Sequence, residues 1–397
     1  EESRISRNIN NPNRQIRTEE VNAYSVNIDA TKATSEKNKI FYGFEYVLND
    51  VNSKGINENI VTNESAIGPS RYPQATWQSI GIYLNNQYKF TEKTLLQSGL
   101  RYNQFLLNAA FDTTFYPFPF TEATLNDGAL TGSVGVVHRP NERWVISTNL
   151  ATAFRSPNVD DMGKVFDSEP GSVVIPNPNL KAEYAYNVDI NVAKLIGNSI
   201  KVDFSGYYTL LDNALVRRDF TLNGEDQILY DDELSQVQAI QNAAKANVYG
   251  FQAGVEVKLP SGFNFSTDLN FQQGEEELDN GEKSPSRHAA PFFGVTRLGY
   301  ATTKLDFQIN VQYCDEVRYS HLAEEERGKP EIYAVDANGN PYSPSWYTIN
   351  LKSMYKLTNN FTVTAGLENI TDQRYRPYSS GIVAPGKNFL MALRARF

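Results

Sequence analysis

Apolar and polar residues alternate along almost the whole chain, and the last eleven positions show the rule clearly. Phe389, Met391, Leu393, Ala395 and Phe397 are apolar, and Asn388, Leu390, Ala392, Arg394 and Arg396 fall between them. Successive side chains of a strand point to opposite faces, so the segment has one apolar side and one that becomes basic. The same pattern sets Ile80, Ile82, Leu84, Tyr88 and Phe90 against Gly81, Tyr83, Asn85, Gln87 and Lys89. It sets Leu305, Phe307, Ile309, Val311 and Tyr313 against Asp306, Gln308, Asn310 and Gln312. Helical spacing is hard to find. The periods predict about fifteen strands, near 20–31, 39–52, 76–90, 95–111, 127–139, 144–155, 182–194, 199–211, 246–259, 263–273, 288–302, 304–314, 345–357, 361–375 and 387–397.

The links between these strands alternate between short and long. Short ones include Pro260–Gly262, Pro140–Arg143, Leu195–Asn198 and Thr358–Asn360. Long ones span roughly 53–75, 112–126, 157–181, 212–245, 274–287, 315–344 and 376–386. Short turns on one side and long loops on the other are the plan of an outer-membrane β-barrel, whereas a soluble sandwich spreads its loops over both ends. The polar face agrees, being dominated by Asn, Gln, Asp, Ser and Gly, which suits a crowded, hydrated lumen. Tyr88, Phe90, Trp144, Phe263, Tyr355 and Phe361 gather beside the short turns and are expected to form an aromatic girdle. The fold class is therefore all-β, an antiparallel transmembrane β-barrel. An odd strand count cannot close such a barrel, so at least one further strand is expected upstream, and residues 1–10 read as the top of an earlier strand.

Composition narrows the partners. Lys+Arg 37 against Asp+Glu 46 gives a net charge of −9, which argues against a nucleic acid, whose phosphates need a basic surface. Mean hydropathy is −0.47 and no long apolar run exists, so spanning helices are excluded while spanning strands are not. Cys314 is the only cysteine, which leaves no internal disulfide and no cysteine-based metal site.

Phe154-Arg155-Ser156-Pro157-Asn158 and Asn177-Pro178-Asn179-Leu180-Lys181-Ala182-Glu183, together with Asn369-Ile370-Thr371-Asp372-Gln373-Arg374-Tyr375 and the terminal strand, resemble the C-terminal half of TonB-dependent outer-membrane receptors. Ser70 to Pro73 and Glu2-Ser3-Arg4 look like receptors of the Bacteroidetes lineage. The resemblance implies about 15 strands of a barrel of about 22, plugged by an N-terminal domain that this stretch does not contain. It implies uptake of a ferric siderophore, cobalamin or a similar scarce nutrient, energised by the TonB complex through the missing N-terminal part. It implies contact with lipid and lipopolysaccharide, and assembly through the barrel-assembly machinery, for which Phe397 is part of the signal. No cofactor is implied. A passive porin-like channel and a secreted, soluble β-rich binding protein are the alternatives. Haem receptors of the family carry a histidine between the two loop motifs; residues 158–176 contain none, which disfavours haem.

Candidate ligand-binding residues are Arg71, Tyr72, Phe115, Tyr116, Phe118, Arg374, Tyr375, Arg376 and Tyr378, since arginine beside tyrosine suits anionic or catecholate ligands. For Phe115 to Phe120, a ligand platform and a loop folded onto itself both stay open. Phe154, Arg155, Pro157, Asn177, Pro178, Asn179 and Leu180 read as loop-shaping: proline fixes φ, asparagine bonds its own backbone, and Arg155 can pair with Asp160 or Asp161. The acidic runs Asp231-Asp232-Glu233, Glu275-Glu276-Glu277 and Glu324-Glu325-Glu326 read as solvated loop charge. No catalytic motif is present, so a non-enzymatic role is expected. The alternation also predicts that Leu351→Arg impairs membrane insertion while Asn350→Arg does not.

Overall fold

The computed structural model describes residues 1–115, 118–163, 171–230, 233–278, 281–287, 289–329 and 331–396. One 20-stranded sheet dominates it. Its wall strands follow one another as antiparallel neighbours, and their registers explain why. Phe44 faces Ile28 and Ile82 across the ladder, Leu84 faces Leu100, and Leu351 faces Ile309 and Leu367. A one-residue slip would put every one of these side chains on the wrong face. The outer face is a continuous exposed apolar band that includes Tyr24, Val26, Ile28, Ile82, Leu84, Leu100, Val134, Leu150, Ile190, Leu393 and Met391. A band this large faces hydrocarbon rather than water. Tyr88, Phe90, Trp144, Phe263, Tyr355 and Phe361 lie on that face beside the short turns, with Phe263 packed on Tyr300 at 4.8 Å and Lys194 over Trp144 at 4.5 Å.

The inner face is held by polar pairs. Tyr83 donates to Asp29 at 2.5 Å, Arg101 bonds Glu45 at 2.7 Å, and Arg297 bonds Asp268 at 2.5 Å. Glycine makes room for the larger groups: a Cβ on Gly43 would sit 2.6 Å from the Tyr83 ring. Asn350 is more than a solvated lumen residue. It donates to Asn310 at 2.9 Å and accepts the Asn369 amide at 2.8 Å, so the expected tolerance of arginine there does not fit its buried, bonded position.

Several strands run further than the alternation predicts, Asn13–Ser35, Asn38–Asn59 and Phe263–Glu277 among them. Glu122–His138 starts below residue 127, Ile200–Asp219 passes residue 211, and Glu233–Lys258 begins within the expected long loop 212–245. The upper ends of Ile200–Asp219 and Glu233–Lys258 pair with each other, and the latter also with the short loop strands Gln227–Tyr230 and Ser172–Ile175, while residues 122–126 pair with 106–110. Among the described residues the sheet carries one parallel contact, residues 172–175 beside 236–239. Conversely, Phe361–Glu368 stops well before residue 375, because Asn369 turns the chain with φ +46° and bonds the Gln373 and Pro385 carbonyls. Glu2–Ser6 pairs antiparallel with the upper part of Asn13–Ser35. The sheet is not closed: among the described residues Asn388–Ala395 pairs only with Phe361–Glu368. Phe397 lies outside the described residues.

Candidate functional site at the long-loop end

The inner face changes character towards the long loops. Its lower part is polar, but Val51, Ala75, Phe105, Leu107, Ala109, Ala123, Leu125 and Ala129 make its upper part an apolar surface in the first half of the sheet. Loops fold inward to cover it. Val159, Met162, Val173, Ile175, Leu180 and Leu222 join these side chains in one buried cluster. Burying each leucine, valine or phenylalanine is worth roughly 1.5–3 kcal/mol, so the cluster orders loops that would otherwise lose to chain entropy.

Directional bonds then fix the loops on that surface. Above Ala151 the strand Trp144–Arg155 leaves its neighbour, and the Thr152 hydroxyl takes the Gly132 amide at 2.8 Å in place of a ladder bond. Phe154 stacks on Phe105 at 5.9 Å, Ser156 accepts from the Trp77 indole at 3.2 Å, and Pro157 is fully buried. Arg155 pairs with Asp161 at 2.5 Å and Glu183 at 3.5 Å. Asn158 and Asp161 cap each other's backbone amides, both at 3.0 Å. The Asn177 side chain donates to the Ile240 carbonyl at 2.7 Å and accepts the Asn179 amide at 3.0 Å, and Leu180 is buried in the cluster. Pro178 is half-buried between them. Tyr72 reaches across to Asp160 at 2.6 Å; its phenol is pushed well above the ordinary range, first by burial and then by that carboxylate. Arg71 stacks over the Tyr72 ring at 5.1 Å. Phe118 is 9% exposed and packs with Phe111 and Phe120, whereas Phe115 is 36% exposed beside them. Tyr116 lies outside the described residues.

The other four candidates sit in the second half. Arg374 is exposed, Tyr375 stacks on Trp346 at 4.2 Å, Arg376 donates to the Glu331 carbonyl at 2.9 Å, and Tyr378 is half-buried. Sequence reasoning missed the group that holds this half. Glu326 was expected among solvated loop charges, yet its side chain is 0% exposed. It takes Arg287 at 2.6 Å, Lys329 at 3.4 Å, Ser379 at 3.3 Å and the Tyr333 hydroxyl. Burial alone would raise this carboxyl, but the Tyr333 bond and the two cations hold it below its usual value of 4.5. The partners come from three separate loops, so no local sequence signal announces them. Asp231, Asp232 and His288 lie outside the described residues, His138 contacts Thr94 at 2.9 Å near a short turn, and His321 is exposed. Among the described residues no group of three or more His, Cys, Asp or Glu is placed to hold a metal ion.

Residues 2–370 match the family described as "TonB dependent receptor-like, beta-barrel". The chain belongs to this family. Its curated relatives include the "Hemoglobin-haptoglobin utilization protein B" of Neisseria meningitidis, 22% identical over 78% of this chain and 40% of that protein. The "Probable TonB-dependent siderophore receptor PiuA" of Acinetobacter baumannii is 21% identical over 81% of this chain and 41% of its own length. The chain thus spans about two-fifths of the curated relatives it matches. Among solved structures, "Copper transporter OprC" superposes with a TM-score of 0.76 at 15% identity, covering 96% of this chain and 57% of that one. The yersiniabactin receptor FyuA of Yersinia pestis gives 0.70 at 14% identity, covering all of this chain and 57% of its own. As in these TonB-dependent receptors, the setting is the outer membrane of a Gram-negative bacterium.

Proposed function

We propose that this chain is the C-terminal barrel portion of a TonB-dependent receptor that takes up a ferric siderophore, cobalamin or a similar scarce nutrient. The family match across residues 2–370 carries the reading. The plug and the first strands come from sequence upstream, and the open ladder edge at Asn388–Ala395 supports this, because hydrocarbon leaves unpaired backbone groups no other partner. The TonB complex acts through that upstream part. Lipid and lipopolysaccharide meet the apolar outer band, and the barrel-assembly machinery receives the terminal strand. Arg71 over Tyr72, with Phe115 exposed beside them, gives an anionic, ring-bearing ligand its first contacts.

Haem has support in the relatives named for haemoglobin, but the absence of histidine from residues 158–176 favours the siderophore or cobalamin reading. A strain lacking the full-length protein tests this by growth on single iron or cobalamin sources. The proposal expects a defect on one source, restored by the intact gene and not restored when TonB is absent. Rescue without TonB would instead mark a passive channel.

A further inference from the structure

The outer face of the first half carries an open trough of about 830 Å³. Two neighbouring rows of the ladder line it. The lower row passes through Asn86, Ser98, Val134, Leu150, Val188 and Tyr208, each paired with the next. The upper row runs beside it, on the long-loop side, from Leu84 and Leu100 through Gly132 to Leu210.

Two local features make the trough. Gly132 leaves its place in the upper row without a side chain, between the exposed Leu100, Val134 and Leu150. At the same point the ladder between Glu122–His138 and Trp144–Arg155 ends, at Ser133 and Ala151. The Thr152 hydroxyl closes that gap, accepting from the Gly132 amide at 2.8 Å and donating to the Gly132 carbonyl at 3.4 Å. Hydrocarbon can therefore lie on the floor without stranding these backbone groups.

The trough is polar at one end. Asn86 and Ser98 lie near the short turn at 92–93, next along the same face to the girdle residue Tyr88, and the Asn86 amide donates to Asn38 at 2.7 Å. Ser98 is close to the start of Thr94–Ala110, whereas Tyr208 is well inside Ile200–Asp219, so the lower row climbs away from the short-turn side. Neighbouring strands are spaced at 4.7–4.9 Å, which makes the row roughly 24 Å long. Half of the hydrocarbon core is about 15 Å deep, so an oblique row of this length spans one leaflet.

We infer that the trough seats one acyl chain of a phospholipid from the leaflet on the short-turn side, with its glycerol ester oxygens at Asn86 and Ser98. A polar head and a single long tail match the polar end and the apolar climb. The inference rests on the reading of the outer band as the lipid-facing wall.

The test uses the full-length receptor extracted from outer membranes in mild detergent. Native mass spectrometry counts the lipids retained by folded receptor as detergent is raised. Wild type is expected to keep one phospholipid after the others are stripped. Val134→Trp fills the trough from its rim, and Gly132→Leu fills its floor, where a Cβ would stand 3.0 Å from Leu100 Cδ2. Each should lower retention about tenfold, as roughly two displaced methylenes would. Asn86→Leu should lower it about fivefold, the worth of one hydrogen bond. Leu298→Trp, exposed on the outer face of the second half, should retain lipid as wild type does. Equal retention by wild type and Val134→Trp would overturn the site. So would lipopolysaccharide retained in place of phospholipid, or a dimer that Val134→Trp splits. A receptor that stays in water without detergent would sink the lipid-facing reading itself, whereas retention unchanged across the variants would sink only this site.

Discussion

The two halves of the long-loop end differ in how far apolar burial and directional bonds share the work of holding the loops. In the first half, loops lie on an apolar inner surface around Phe105, Leu107 and Met162, and many side chains share the burial. In the second half, a single buried carboxylate, Glu326, gathers bonds from three loops. Apolar packing is non-directional and redundant, so it tolerates small shifts and gives way gradually. A charged hub is directional and depends on one atom pair at a time, so it opens as a unit. The first half is built as a fixed shelf and the second as a releasable clasp.

Removing a ring from the shelf should have the largest effect. Phe105→Ala is expected to cost about 3–5 kcal/mol of local stability, read as faster hydrogen exchange across 156–163 and 172–182 with 319–329 unchanged. Next comes the wall on which both regions stand. Leu351→Arg, on the outer face, should cost roughly 2–4 kcal/mol of insertion free energy, whereas Gln312→Arg, exposed on the inner face, should insert normally. Equal losses in both would remove the face assignment and with it the shared wall.

Glu326→Gln should cost about 1–3 kcal/mol and loosen only the second half. Its pH dependence has a definite sign. The folded carboxyl lies below 4.5, so its contribution is complete above that value and is lost as pH falls through the lower folded value. Protonation of Glu326 takes the ion-pair partner from Arg287 and Lys329 together. Acid should therefore open the Glu326 loops before the Phe105 cluster, as followed by limited proteolysis at decreasing pH. The smallest effect is expected from Tyr72→Phe, which removes the bond to Asp160 but keeps the ring, at about 1 kcal/mol.

What could be read from the sequence follows from the range of each interaction. Strand faces were legible because Leu351, Ile309 and Leu367 obey a period of two that needs no knowledge of neighbours. The Arg155–Asp161 pair was legible because its partners lie six residues apart. Alternation could not show that Asn350 is a bonded node, since Asn310 and Asn369 reach it from other strands and turns. Nor could composition separate Glu326 from its exposed neighbour Glu324, because Arg287 and Ser379 meet it only through the fold. Nor does a period of two show that Leu107 and Leu125 are covered by loops that fold onto the inner face.

Hydrogen exchange on the full-length receptor, comparing wild type with Phe105→Ala and Glu326→Gln, tests the shelf and clasp most directly. The account predicts a double dissociation. Phe105→Ala should accelerate exchange only in 156–163 and 172–182, and Glu326→Gln only in 319–329 and 375–385. Acceleration of both groups of peptides by either variant would contradict it, and would mean that the long-loop end is one cooperative unit.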